Sequence, residues 1–379
     1  MEFNKLVEDY GCLAFTDDVM KERIPKSTYK AFHESLDKGE ELSKECATVI
    51  ANAMKIWAVE HGATHFTHWF TPMTGLTAEK HDAFLEPDGS KAVLEFSGKT
   101  FSREEGLKHT VESVKRMLDA EKNSEGRIMY AENWVYAPPV QKEREIIEKS
   151  KAQILWMNGE QSHSGSHSLA YGEWRFSGGG SLIGKGCHPL TAVIYFKHVE
   201  GRTRFGMPIR PKTVSARVHS ITRLPNFDDQ GYLKTHYKDV EDFGIIHIEF
   251  EDGTIADIVA NELSLGGTNN WIRVNANNHR TLCNMSHNNT METYTPDEKF
   301  YNDVYVVEKT ETKQGWSQIS PDEGWFLGYQ HELNAFYNAA AYGSEIESNS
   351  KLAADTVATL YASYVSAERK GAEVEVSIL

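Results

Sequence analysis

Gly178-Gly179-Gly180-Ser181-Leu182-Ile183-Gly184-Lys185-Gly186-Cys187-His188-Pro189-Leu190-Thr191 is the stretch around which the chain is read. Glycine density of this kind lets a backbone turn sharply, or lets another group approach it closely. The spacing predicts a helix beginning near Pro189, because proline at a first helical position removes no hydrogen bond that the helix makes. His188 then sits at a helix start, on the floor of a pocket. A helix N-terminus disfavours positive charge, so a neutral imidazole is expected there. Such a ring takes or gives a proton near neutral pH. Lys185, His188 and Thr191 are the candidate catalytic residues. The plainer reading is a glycine-rich loop with a helix-capping histidine.

The chain around it has 379 residues, enough for two or three domains with cores of their own. An apolar fraction of 40% and an aromatic fraction of 11% describe a globular protein. The net charge of −15 argues against nucleic acid and anionic membranes as partners, since both call for positive surface. Cys12, Cys46, Cys187 and Cys283 are scattered without metal-ligand spacing, which predicts reduced thiols in a cytoplasmic protein. No apolar run approaches the ~20 residues of a membrane helix, and Met1-Glu2-Phe3-Asn4 does not open a signal peptide.

In the first hundred residues, Ala47, Ile50, Ala51, Met54, Trp57 and Ala58 recur at helical spacing, which predicts a helix over 43–61 closed by Gly62. A strand is expected over 63–70, a turn at Glu86-Pro87-Asp88-Gly89 and a second strand over 92–96. His65 and His68 point to opposite faces of a strand, so no metal site is expected of them with His81 and Asp82. Gly62-Ala63-Thr64-His65-Phe66-Thr67-His68-Trp69-Phe70, the following Thr71 to Asp82, and Glu95-Phe96-Ser97-Gly98-Lys99 resemble the N-terminal region of type III glutamine synthetase. Thr71 and Met73 stand where Gln and Leu are expected. The resemblance ends near residue 103, and the carboxylate-rich metal and nucleotide site of that enzyme has no counterpart downstream.

Further along, Leu107, Val111, Val114 and Leu118 predict a helix over 105–120, and a short strand is expected over 127–132. A helix from the Pro138-Pro139 pair and a strand over 153–157 follow, then a Ser/Gly-rich loop over 161–168 carrying His163 and His167. Ile246, Ile248 and Phe250 alternate ahead of Asp252-Gly253, a hairpin signal, with a returning strand over 254–261. Residues 275–289 read as loop and strand edge. Helices over 328–341 and 351–369 close the chain, with Ser350 as N-cap and Gly371 as C-terminal cap of the second.

Gly-Gly-Gly-x-Leu followed by Gly-x-His-Pro is similar to the substrate-site motif of the Gfo/Idh/MocA family of NAD(P)-dependent oxidoreductases. Tyr329-x-x-Glu332-Leu333-x-x-Phe336, Ser350 to Val357 and Ser366-Ala367-Glu368-Arg369 are similar to that family's C-terminal ending. The resemblance covers residues 105–379. It implies oxidation or reduction of a sugar, inositol or related polyol with NAD or NADP, His188 exchanging the hydroxyl proton. It also implies a homo-oligomer joined through the open sheet face. Asn133, Trp134 and Tyr136 lie in the crossing between the family's two domains and are the candidate cofactor-binding residues. The family often has Asp at the places of Gly184 and Thr191, so the motif carries over the histidine without a carboxylate partner.

The dinucleotide fingerprint is missing. A Gly-x-Gly-x-x-Gly turn lets pyrophosphate reach backbone at a helix N-terminus. Gly178 and Gly180 fit its first two glycines, but Ile183 holds the third place. The family's Glu-Lys-Pro lysine is absent too. The expected fold is mixed, α/β and α+β. Residues 1–104 form a small α+β block. Residues 105–133 are the last helix and strand of a Rossmann domain. Residues 134–379 form a large domain with a mostly antiparallel sheet flanked by helices. This division predicts a recombined chain in which neither parent site is complete, the alternative being a true fusion with a new role. Weak or no dinucleotide binding follows, with little turnover. The rival functions are a glutamine synthetase-like ATP-dependent ligase fragment and a non-catalytic binding or oligomerisation module.

Overall fold

The computed structural model describes residues 15–38, helical positions 46, 49–50, 53, 56–57 and 60, and residues 86–88, 91–93, 103–286, 291–301, 304–306, 312–320 and 322–376. The strand expected over 63–70, the three histidines near it and Cys12 lie outside the described residues. The chain forms two compact units, Met1–Glu95 and Phe96–Leu379.

In the first unit, helix α1 (Asp17–Arg23) starts at Thr16, whose hydroxyl accepts the Val19 N–H, and carries Asp17 and Asp18 in its first turn. It precedes α2 (Lys26–Lys38). Met20, Ile24, Cys46, Ile50 and Ala53 form a small core against Phe15, Tyr29 and Phe32, and Trp57 is buried with them edge-on to Phe15. Of the helical face expected over 43–61, Ile50 and Trp57 face inward as read. Strand β1 (Glu86–Asp88) pairs antiparallel with β2 (Lys91–Val93), Asp88 opposite Lys91. The expected turn residues Glu86 to Asp88 are therefore strand, and the chain reverses after them.

The second unit opens with α3 (Arg103–Lys122). Residues 127–132 do not form the expected strand. Their one ladder contact is an isolated bridge, Met129 to Asn349, and Tyr130 N–H donates to Ser348. A strand needs neighbours for its backbone groups, and this segment runs instead beside the chain that leads into the last long helix. A single turn, α4 (Asn133–Tyr136), leads to α5 (Pro138–Ser150), which buries Val140 and Ile147. Strand β3 (Ile154–Ser162) extends beyond its expected end and takes in Gln161 and Ser162.

The glycine-rich stretch enters a π-helical segment, Leu182–Gly186, that runs directly into α6 (Cys187–Phe205). Helix α6 is buried from Pro189 to Gly201 on every side, as the central helix of a layered fold must be. Strands β4 (Pro211–His219), β5 (Phe243–Phe250), β6 (Ile255–Asn261), β7 (Asn269–Ala276) and β8 (Arg280–Asn284) complete the main sheet with β3 and the short C-terminal β11 (Val374–Glu375). Its order is β11-β4-β5-β6-β3-β7-β8, antiparallel except for β3 beside β6. The expected loop near Asn275 is thus a hairpin, with β8 at the sheet edge as read. Strands β9 (Met291–Thr295) and β10 (Gly315–Ile319) form a separate antiparallel ribbon. Helix α7 (Tyr329–Tyr342) packs on α4, and α8 (Ser350–Glu368) lies across β4 and against α3 and α6.

Inward residues of the sheet, among them Ile246, Ile248, Phe250, Ile258, Ile272 and Val274, meet Leu190, Val193 and Ile194 of α6 and Leu360 and Tyr364 of α8 in one core. The opposite face is open and mixed. Ile245, Trp156 and Leu282 are exposed on it, interleaved with Arg217, His247 and Asp257. The cap of α8 is Asn349, not Ser350: its side chain accepts the Lys351 and Leu352 N–H groups, while the Ser350 hydroxyl turns to Glu121.

Candidate functional site

His188 is the second residue of α6, but the π-helical segment ahead of it means that it does not stand at an open helix end. The charge-repelling helix terminus expected from sequence is therefore absent here. The ring also has the carboxylate partner that the motif lacked: His188 Nδ1 lies 2.7 Å from Glu132 Oε1. Glu132 is buried just ahead of α4 and also accepts the Trp134 N–H at 3.2 Å. Trp134, itself buried, stacks on the imidazole with ring centroids 5.7 Å apart and planes at 22°. The Cys187 sulfur lies within 4.8 Å of the ring nitrogen. Burial works against a charged imidazole, but the Cys187 sulfur and the Glu132 carboxylate outweigh it and raise the His188 pKa well above its ordinary value. One quarter of the His188 side chain remains exposed, which leaves an edge for a ligand.

Lys185 faces a different carboxylate. Its ammonium lies 4.0 Å from Glu262 and 5.3 Å from the Tyr171 ring centroid, fully within the fold. His163, expected in a solvated loop, is buried with its Nδ1 3.3 Å from Glu262, and Ser166 donates to the same carboxylate. His167 is exposed, as read. Thr191 is buried: its hydroxyl donates to Cys187 O at 2.8 Å and lies near the hydroxyls of Thr356 and Tyr130. Those contacts hold α6 to α8 and to the segment before α4. Lys185, His188 and Thr191 thus face three separate surroundings.

The glycine triplet is explained by Glu241. One oxygen of this buried carboxylate accepts the N–H groups of Gly180 at 3.1 Å and Leu182 at 3.0 Å, and the Tyr364 hydroxyl at 2.7 Å. A Cβ on Gly180 would stand 2.0 Å from Glu241 O, and one on Gly179 would stand 2.2 Å from the Tyr364 hydroxyl. Glycine is required here for close packing. The N–H groups that would cradle a phosphate in such a turn already serve a protein carboxylate. Of the candidate cofactor residues, Asn133 donates to Leu327 O at 2.7 Å, and the Tyr136 hydroxyl pairs with Ser348. All three candidate residues are buried.

Residues 6–107 match the family model described as glutamine synthetase type III N terminal. The glutamine synthetase of Bacteroides fragilis (strain YCH46) is 46% identical over 103 residues, which cover 27% of this chain and 14% of that protein. The type-3 glutamine synthetase of Dictyostelium discoideum is 42% identical over 97 residues, 25% of this chain and 13% of that one. The chain therefore spans a small fraction of these curated relatives. Solved structures match most of the remainder. GenD2 from gentamicin A biosynthesis, in complex with NAD, superposes with a TM-score of 0.55 at 23% identity, over 70% of this chain and 68% of that one. A Sinorhizobium meliloti 1021 structure proposed to be a myo-inositol dehydrogenase has a TM-score of 0.51 at 15% identity, over 70% of each chain.

The second unit shares the fold of about two thirds of these two chains. The chain joins two segments that are similar to two different families. Among the described residues, no helix is long and apolar enough to cross a membrane.

Sequence reasoning missed Glu132, Glu241 and Glu262. Each acts on a residue of the 178–191 stretch from at least 56 positions away, and no local spacing announces such a pair.

Proposed function

We propose that the second unit binds a polyol or sugar at the exposed edge of His188, and that this chain on its own turns such a ligand over poorly or not at all. The observation that carries the reading is the His188–Glu132 pair under Trp134, in a fold shared with GenD2 in complex with NAD and with a structure proposed to be a myo-inositol dehydrogenase. A partly exposed imidazole held by a buried carboxylate is a fixed hydrogen-bonding group, suited to a ligand hydroxyl. The absence of a Gly-x-Gly-x-x-Gly turn from the sequence, and the occupation of the Gly180 and Leu182 N–H groups by Glu241, support weak or no binding of NAD and NADP. The candidate catalytic set reduces to His188 with Glu132 as its positioning residue. Lys185 and Thr191 support the fold around it. Self-association through the open sheet face and residence in the cytoplasm belong to the same reading.

Two measurements test it. Thermal shifts over a panel of polyols and sugars compare the wild type with His188→Ala. The variant is expected to lose about 1 kcal/mol of ligand binding, the scale of one hydrogen bond. Equal shifts in both proteins would remove His188 from the site. Calorimetric titration with NAD(H) and NADP(H) is expected to show no binding in the micromolar range, and a micromolar affinity would overturn that half of the reading.

A further inference from the structure

Glu132, Cys187 and His188 each offer one metal-ligating atom, and these three atoms lie within 4.8 Å of one another. They come from two directions. Cys187 and His188 open α6, and Glu132 arrives from the chain ahead of α4. The donor set is one sulfur, one imidazole nitrogen and one carboxylate oxygen. Thiolate selects against magnesium and calcium, and a mixed S, N, O set suits zinc. Tetrahedral zinc with bonds of ~2.0–2.3 Å needs ligand atoms roughly 3.3–3.6 Å apart, so small side-chain rotations close the set. Glu132 is buried while Cys187 and His188 are half-buried, so solvent reaches the three atoms from the Cys187 and His188 side. The other two cysteines of the described residues are unlike this one. Cys46 and Cys283 are buried, and each donates to a backbone carbonyl.

We propose that Glu132, Cys187 and His188 bind one zinc ion with an open fourth coordination position. The ion takes the place of the proton shared by His188 and Glu132 and of the thiol proton, both released to solvent. Three protein ligands and one exchangeable position are the arrangement of zinc sites that polarise an oxygen ligand. The proposal stands apart from the polyol reading, because its readout is the metal alone.

The test uses the full chain, stripped with a chelator and dialysed. Zinc titrated against a chromophoric chelator is expected to show one tight equivalent per chain. Cobalt(II) loaded in its place is expected to give a thiolate-to-metal charge-transfer band. Cys187→Ser should abolish the band and weaken zinc binding at least tenfold, and Glu132→Gln should weaken it to a lesser degree. His247→Gln, at an exposed His–Asp pair on the open sheet face, should change neither. If Cys187→Ser does not fold, wild-type protein decides the matter: zinc should protect Cys187 from alkylation, read by peptide mass spectrometry. No tight equivalent, a cobalt spectrum without the thiolate band, or alkylation of Cys187 at the same rate with and without zinc would each overturn the proposal. Running the polyol panel on the stripped protein keeps failure of the metal site distinct from failure of the ligand reading.

Discussion

Gly180→Ala places a methyl group where the structure has no room. The new Cβ would meet Glu241 O at 2.0 Å, Glu241 N at 2.7 Å and Glu241 Cδ at 2.8 Å. Two of these are backbone atoms, so relief requires the Glu241 segment to move, not a side chain to swing. Overpacking alone costs about 1–3 kcal/mol. Movement also strains three hydrogen bonds to the one Glu241 oxygen, from Gly180 N–H, Leu182 N–H and the Tyr364 hydroxyl. Losing one bond to a carboxylate acceptor adds roughly 1.5–3 kcal/mol, so the expected destabilisation is about 2.5–6 kcal/mol. Gly206→Ala is the control: that glycine ends α6 at φ +77 with nothing within 4 Å of an added Cβ, and the left-handed backbone alone costs about 1–2 kcal/mol. Urea unfolding followed by tryptophan fluorescence measures both. Gly180→Ala as stable as Gly206→Ala would refute the claim that the glycine is required to seat Glu241.

Asp355 accepts Arg210 Nε at 3.0 Å and pairs with His198 Nε2 at 2.9 Å. Burial pushes its carboxyl pKa up, but these donors outweigh it and hold the value below the ordinary range. Its stabilising contribution is therefore full above about pH 4 and is lost as pH falls through the lower folded value. Asp355→Ala should cost about 3 kcal/mol at pH 7, the low end for a broken buried pair because Arg210 is partly exposed, and clearly less at pH 3 by urea unfolding. Thr191→Val should cost about 1 kcal/mol in urea and leave any polyol-induced thermal shift unchanged, since the hydroxyl binds the fold. Trp134→Ala should lose about 3–5 kcal/mol, read by the same unfolding assay, with the His188 ring left unsupported. The exposed Trp156, Ile245 and Leu282 on the open sheet face should drive self-association, and a clean monomer in analytical ultracentrifugation at high concentration would contradict this.

The parts of the fold that were legible in the sequence are those whose signal is local. Ile246, Ile248 and Phe250 alternate within one strand, and Asp252-Gly253 closes the hairpin with Gly253 at φ +79. Leu352, Leu360, Tyr361, Tyr364 and Val365 are buried along nearly four turns of α8. Helices α1 and α2 were not read because the first is seven residues long and the second carries a mostly polar sequence. The cap of α8 was misplaced by one residue because Asn349 and Ser350 are both capable, and only the position of Glu121 decides which of them is free to cap. In the site, His188 was legible from its motif. Its partner was sought three residues away at Thr191, whereas the carboxylate arrives from Glu132 across the fold.

The π-helical segment Leu182–Gly186 fixes a phase. Ordinary helix advances ~100° per residue, and the wider turn holds one residue more than an α-turn in the same rise. The segment lies between the glycine contacts with Glu241 on one side and His188 on the other. It acts as a vernier: both ends are pinned, by Gly180 to Glu241 and by His188 to Glu132, and the length between them sets how they face. Deleting one residue from Leu182–Gly186 would remove the extra residue of the wide turn and let an unbroken α-helix form with both pinned ends still facing as they do. The wide turn thus absorbs one residue of chain length without turning His188 away from Glu132, while the buried Leu182 and Lys185 fix side-chain identity within it.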